Sequence, residues 1–253
     1  VDNAKTDEGD RLGYALNENR GVTIVRFVDS DETDNNKVSY KYDLYKYLNG
    51  GNYSMAGKNF VVATTGKNKV TLSCTNPGDG TAKNPAAPAA ATIDGYLEVN
   101  NEAELSGIML TVKGDVKINV AENGSDVGML TVNKVNSASA AIEAQTALTV
   151  EGNLNVNAGN SQKNLIPNYT VAQFARTCVG SAAKAGNLNI AANAVASFQS
   201  STYSDIHGNI VNAGEFILDL TSGTATGVPG EVWCNSFSKV GNGKWTNGSP
   251  STY

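Results

Sequence analysis

Histidine is almost missing from this chain: His207 is the only one in 253 residues. A histidine zinc site, a Ser-His-Asp triad or a Cys-His pair therefore cannot be assembled past one partner. His207 itself, beside a glycine in SDIHGNIV, reads as a turn or column residue. Aromatic residues are scarce too, 7% against 40% hydrophobic overall, which suits a long narrow core and excludes a thick one. Three cysteines, Cys74, Cys178 and Cys234, are too few to staple a chain of this length, and an odd number leaves at least one thiol unpaired. They read as small apolar residues of the interior, with a Cys178–Cys234 bridge as the alternative.

Positive charge is short as well. Arg11, Arg20, Arg26 and Arg176 are the only arginines, and the formal net charge is −5. That balance argues against nucleic acid or an anionic membrane as partner, because phosphate binding needs concentrated Lys and Arg. No stretch approaches the roughly 20 apolar residues of a membrane-spanning helix, and no charged-then-apolar leader is present. The chain begins at Val1 without Met, as a processed secreted protein or a trimmed chain would, and an extracellular or cell-surface setting is expected.

What the chain does have is repetition. ATIDGYLEVN (Ala91 to Asn100), LTVKGDVKIN (Leu110 to Asn119) and LTVEGNLNVN (Leu148 to Asn157) share one pattern, and Gly95, Gly114 and Gly152 are 19 and 38 residues apart. Because 38 is twice 19, a further copy is expected at LTVNKVNS (Leu130 to Ser137), with Asn133 in the glycine's place as the residue next most tolerant of positive φ. Each copy alternates apolar and polar residues on both sides of the glycine, the mark of half-buried strands. Such strands cannot bury their faces within one copy and must stack on the next.

Parallel stacking about 4.8 Å apart would line identical positions up in columns. Leu110 is expected over Leu148 through Leu130, and Val116 over Leu154 through Val135. Asn100, Asn119 and Asn157 would form either an amide ladder or a row of solvent-facing turn residues.

The pattern continues in GNLNIA at Gly186 and GNIVNAG at Gly208, and upstream in NFVVATTGKNKVTLSC (Asn59 to Cys74), read as two strands. Three interruptions are expected. Thr75 to Ala91, rich in Pro, Gly and Ala, reads as an extruded loop. Asn168 to Ala185 has Val171, Phe174 and Ala175 at helical spacing after Thr170 and reads as a loop or short helix leaving the stack. Tyr42 to Met55, with Leu44, Tyr45 and Leu48 on one face and Gly50-Gly51 as a stop, reads as an amphipathic helix capping the open end.

From Tyr40 to Leu220 the Gly-Asn-apolar-x-apolar-Asn idiom resembles right-handed parallel β-helix proteins of the pectate-lyase-like superfamily, the bacterial surface and adhesin-like members in particular. The resemblance implies an all-β, single-stranded right-handed parallel β-helix of about 19–22 residues per coil, with a short N-terminal capping helix and loop insertions. Residues 1–39 would be an N-terminal strand (Val22 to Val28) and acidic loop, serving as extension or cap, and 40–253 the β-helix with its C-terminal cap. It implies an adhesin-like or structural stalk whose partner is a glycan or a surface protein.

Chemistry is hard to find in it. A glycosidase needs carboxylates about 5 to 9.5 Å apart. Asp94, Asp115 and Glu151 fall at neighbouring points of the repeat, but they alternate with Lys113 and Lys117 as a solvated face does. Arg176 is the only arginine available to a lyase. The acidic run DSDETD (Asp29 to Asp34) lacks the glycine and terminal Glu of an EF-hand loop. Asn-x-Ser/Thr triplets at Asn52, Asn123, Asn168 and Asn247 are what this composition yields by chance. Trp233 and Trp245 are sugar-platform candidates, with burial over the last coil as the plainer reading. No catalytic, cofactor-binding or metal residue is assigned. The rival classes are a carbohydrate-active β-helix enzyme, lyase or hydrolase, and a trimeric fibre or spike module.

Overall fold

A computed structural model describes residues 10–29, 39–48, 50–136, 144–159, 166–220 and 229–247. Their short strands make two large sheets whose long ladders are parallel throughout. The strands fall into three columns that the chain visits in turn. The first holds Ile24–Phe27, Asn59–Val62, Leu97–Val99, Val116–Ile118, Leu154–Val156 and Leu188–Ile190. The second runs from Ser39–Asp43 through Lys69–Ser73, Glu102–Leu105, Met129–Val132, Tyr169–Val171, Val195–Phe198 and Glu215–Leu218 to Lys244–Asn247. The third holds Ala87–Ile93, Ile108–Val112, Leu148–Val150 and Thr177–Val179. Two longer strands, Tyr203–Asn212 and Glu231–Lys239, bend so that each serves the third column and then the first. One passage through the three columns is called a tier below.

Alternation decides which side chains go inside. In Leu148–Val150 the Leu and Val are fully buried and Thr149 faces outward, and Leu154–Val156 repeats this. Successive Cβ atoms point to opposite faces of a strand, so a period of 2 in sequence becomes an apolar interior. Each Leu, Ile or Val so buried contributes roughly 1.5–3 kcal/mol relative to exposure. The interior is one continuous cluster from Leu12 to Leu218.

The glycines do form a column. The Gly114 N–H donates to Gly95 O at 2.9 Å and the Gly152 N–H to Gly114 O at 3.2 Å. None of Gly95, Gly114, Gly152, Gly186 and Gly208 has a positive φ. They are needed for close approach instead: a Cβ on Gly152 would lie 2.7 Å from Gly114 O, and one on Gly186 2.4 Å from Gly152 O. The residue after the glycine completes the corner. Asp115 Oδ1 accepts from the Asn153 N–H, Asn153 Oδ1 from the Asn187 N–H and Asn187 Oδ1 from the Asn209 N–H, at 2.8–2.9 Å. The Gly-Asn pairing in the sequence is thus a backbone contact plus a side-chain bridge to the next tier.

Asn133 is not in that column, which corrects the expected fourth copy. Close backbone contact leaves no room for an Asn side chain at the corner. Leu148 pairs directly with Leu110, and Leu154 directly with Val116. Leu130 lies in the second column between Ala103 and Tyr169. The 38 residues from Asn119 to Asn157 are therefore one long tier, not two short ones. The repeat spacing varies accordingly: 19, 38, 34 and 22 residues separate Gly95, Gly114, Gly152, Gly186 and Gly208 along the stack.

Two further expectations are corrected. Most of the Asn168 to Ala185 segment does not leave the stack, since Tyr169–Val171 and Thr177–Val179 are ordinary rungs of the second and third columns; only its end is an exposed loop, closed by the Gly180–Ala185 bridge. Between the two strands the chain turns through Phe174 at φ 59. Tyr42 to Met55 is not an α-helix: Tyr42 pairs with Leu72 in a strand, and only Leu44–Tyr47 forms a 3-10 turn, begun by Asp43 accepting from the Tyr45 N–H. The described α-helix is Arg11–Leu16, which buries Leu12, Ala15 and Leu16 against the first tier. The strand after it, Ile24–Phe27, joins that tier by pairing with Asn59–Val62. As expected, Thr75 to Ala91 begins as an excursion, a hairpin in which Thr75 pairs with Pro88, and its Ala89 to Ala91 end enters the third column. No helix among the described residues is long and apolar enough to cross a membrane.

Candidate functional site

The repeated polar residues are bonded to each other. The Asn119 amide donates to Asn100 Oδ1 at 3.4 Å and the Asn157 amide to Asn119 Oδ1 at 3.0 Å, so the amide ladder forms. Asn189 donates to Asn155 beside it at 2.8 Å. Asn168 is fully buried, donates to Gly128 O and accepts from the Val195 N–H, so it is a corner residue inside the fold.

The acids of the repeat are engaged in the same way. Asp94 accepts from Lys113 Nζ at 2.5 Å and from the Gly57 N–H at 2.7 Å, and the Lys113 hydrogen bond holds its pKa below the ordinary value. Glu151 acts on Lys113 from the other side, so Asp94, Lys113 and Glu151 alternate in sign. Asp115 bridges to Asn153, while Glu104 accepts from Lys69 at 2.6 Å and from the Asn133 amide at 2.6 Å. Arg176 donates to Asp205 at 2.7 Å and lies over the Tyr203 ring. Among the described residues no three His, Cys, Asp or Glu side chains are grouped to hold a metal ion.

His207 sits where Tyr203–Asn212 bends, and its carbonyl accepts from Asn235. All three cysteines are free. Cys178 pairs with outward-facing Asp205, whereas Cys234 pairs with buried Ile206, so the two thiols face opposite sides of the sheet and do not meet. Of the run Asp29 to Asp34 only Asp29 is among the described residues, and it accepts from the Thr65 N–H.

Where the pattern breaks, a groove opens. The third column starts a tier late: among the described residues, the outer edge of Ala87–Ile93 meets a strand only at Ala87 and Pro88. The place of a strand is taken by the 3-10 turn and the segment after it. This leaves a cavity of about 600 Å³ floored by Ala89 to Thr92 and walled by Tyr45, Tyr47, Tyr53 and Met55. The small alanines keep the floor shallow. Tyr47 stands edge-on to Tyr53 at 5.2 Å and is anchored from behind, its hydroxyl donating to Asp10 Oδ1 at 2.5 Å. Burial and that bond push the Tyr47 phenol well above the usual tyrosine range, so it stays neutral. Tyr45 and Tyr53 are half-buried and offer ring surface to the groove.

The sequence pointed elsewhere for aromatic surface. Trp233 and Trp245 do not cover the end of the stack but are 60% and 62% exposed. The groove's only sequence signal was the tyrosine density of YDLYKYLNGGNYSM, which reads equally as a helix face. The chain matches no protein-family model, no curated protein and no solved structure.

Proposed function

We propose that the chain is a non-catalytic right-handed parallel β-helix of the secreted or cell-surface kind, an adhesin-like or structural stalk. Its partner, a glycan or a surface protein, is taken in the tyrosine-walled groove of the first tiers. The parallel columns and their tier-by-tier registers support the solenoid reading. Parallel strands joined by crossovers are right-handed in about 98% of cases, which supports the hand.

The observation that carries the binding reading is the groove itself. Along the stack the repeated carboxylates and amides are consumed by bonds between tiers. At the groove the ladder stops, and aromatic faces stand over a floor of small residues. Aromatic rings stack on the apolar faces of sugars, and Tyr adds a hydroxyl for polar contact.

A glycan array combined with a polysaccharide-degradation screen tests this. The expected result is retention of a glycan class without cleavage, weakened about tenfold or more by Tyr53→Ala, as loss of one stacking ring implies. Cleavage of a uronate or neutral polysaccharide would instead establish the enzyme reading. A stable trimer in solution would establish the fibre or spike reading.

A further inference from the structure

The floor of the groove is the edge of a strand. The Lys113 N–H donates to Ile93 O at 3.0 Å, so Ile93 turns its backbone groups toward Ile108–Val112. Residues of a parallel strand take turns in this, one pointing both groups at one neighbour and the next pointing both at the other. Ala91 therefore faces the ladder with Ile93, while Ala90 and Thr92 face the groove. Among the described residues the Ala90 N–H, the Thr92 N–H and Thr92 O meet no hydrogen-bonding partner, and Ala90 O is met only by the Cys74 thiol at 3.8 Å. Toward Ala87 the edge is closed, by the Thr75–Pro88 pairing and by the Ala89 N–H donating to Cys74 O at 2.7 Å. Ala89, Ala90, Ala91 and Thr92 line the cavity in succession. Consecutive residues of a strand share one space only along its edge, since they alternate between its two faces.

We propose that the partner docks on this edge as an extended polypeptide segment, pairing with Ala90 and Thr92 as the strand that the third column lacks at this tier. This rests on the groove being the binding site and, of the two partners named for it, takes the protein. An extended segment carries backbone donors and acceptors at the spacing the edge presents, so main-chain pairing supplies affinity. Covering these groups with a ligand that cannot bond them costs about 1–3 kcal/mol each. A sugar stacked on the tyrosine rings leaves the edge unpaired.

The walls decide which segment fits. Leu44 and Tyr47 of the 3-10 turn are buried beside Ala87–Ile93 and already hold the interior that a full rung would fill. Side chains of the segment that point inward must therefore be small. Half-buried Tyr45, Tyr53 and Met55 offer apolar surface to the others. None of the residues lining the cavity is Asp, Glu, Lys, Arg or His, so nothing there compensates a buried charge. The segment that fits is uncharged, with Gly, Ala or Ser at alternate positions.

Panning the full chain against random linear peptides of about ten residues, within the usual length of a strand, tests this. Retained sequences are then titrated calorimetrically. The expected result is micromolar binding by uncharged sequences with a small residue at every second position. Thr92→Pro removes a donor that the ladder to Ile108–Val112 does not use, and it should weaken binding at least about tenfold. N-methylation of the peptide should abolish binding at alternate positions and spare it at those between, because only every second N–H faces the edge. Circular dichroism confirms that the variant is folded, and the N-methyl scan uses the unaltered protein, so it decides where the variant does not fold. Peptides indifferent to both changes would overturn the proposal. Glycans retained without any peptide would overturn it and leave the groove as the binding site, whereas retention of neither would remove both readings.

Discussion

Gly57 and Gly186 lack a side chain for unrelated reasons. Gly57 has φ +66 with open space where a Cβ would go, whereas Gly186 has an ordinary φ but would press a Cβ against Gly152 O at 2.4 Å and Gly180 N at 2.7 Å. Gly57→Ala should cost about 1 kcal/mol, the strain of a left-handed conformation. Gly186→Ala should cost about 3 kcal/mol, because backbone on both sides cannot yield as a side chain would. Urea denaturation of the two variants gives the comparison, and equal losses would contradict the role assigned to the column. The thiols make a second test at this scale. Burial, with the nearby Asp43 charge adding to it, pushes Cys74 up to about 11, and burial also raises Cys178 and Cys234, which are only partly exposed. Ellman's reagent at pH 8 should leave Cys74 unmodified until the chain is unfolded, since the thiolate is the reactive form. Intact mass should be the same with and without reductant.

The Arg11–Leu16 helix is one and a half turns long and owes its position to its packing and its cap. Asp10 accepts from the Gly13 N–H at 2.8 Å and from the Tyr47 hydroxyl, and it pairs with Lys46. Burial works to raise its pKa, but these bonds outweigh burial and hold it below 3.8. A depressed carboxyl stabilises the fold fully above its unfolded value and loses that contribution as pH falls through the folded value. Asp10→Asn should therefore lower the melting temperature at pH 6, and the gap from the parent should close as pH drops below about 4. Leu16→Ala should cost about 2–4 kcal/mol by opening a cavity at the covered end. This helix was illegible in the sequence because six residues are too few to show a period. The strands were legible because alternation follows from burying one face, and the Asn ladder because Asn100, Asn119 and Asn157 each close the same ten-residue pattern. What misled was local resemblance. Leu130-Thr131-Val132 matches Leu110-Thr111-Val112 residue for residue, yet the two stand in different columns, since every column wants apolar residues inward and a polar or β-branched residue outward. Likewise Val171, Phe174 and Ala175 have helical spacing only because a strand ends and a tight turn follows. The tyrosine groove had no sequence signal beyond the tyrosine density of Tyr42 to Met55, because its shape depends on the third column starting a tier late among the described residues.

For the whole molecule, tiers contact mainly their neighbours, so stability is close to a sum of tiers and the junctions between them. Removing the last tier, from residue 229 onward, moves the open end back by one layer to Ile206 and Phe216. Removing residues 10–20 uncovers Val25 and Phe27, now fully buried. The first truncation should remain folded with a lower melting temperature, and the second should expose the core, which hydrogen exchange at Asn59–Val62 would register as lost protection. The unequal tiers carry a different implication. The same ladders are kept whether 19 or 38 residues separate bonded amides, the surplus being taken up where the chain turns between columns. Chain length and strand stacking are thus decoupled: successive strands of a column stay one hydrogen-bonded strand apart however many residues lie between them. Corner segments such as Val120 to Val127, which close on themselves by an antiparallel bridge, can lengthen, shorten or change in composition while the ladders on either side keep their register.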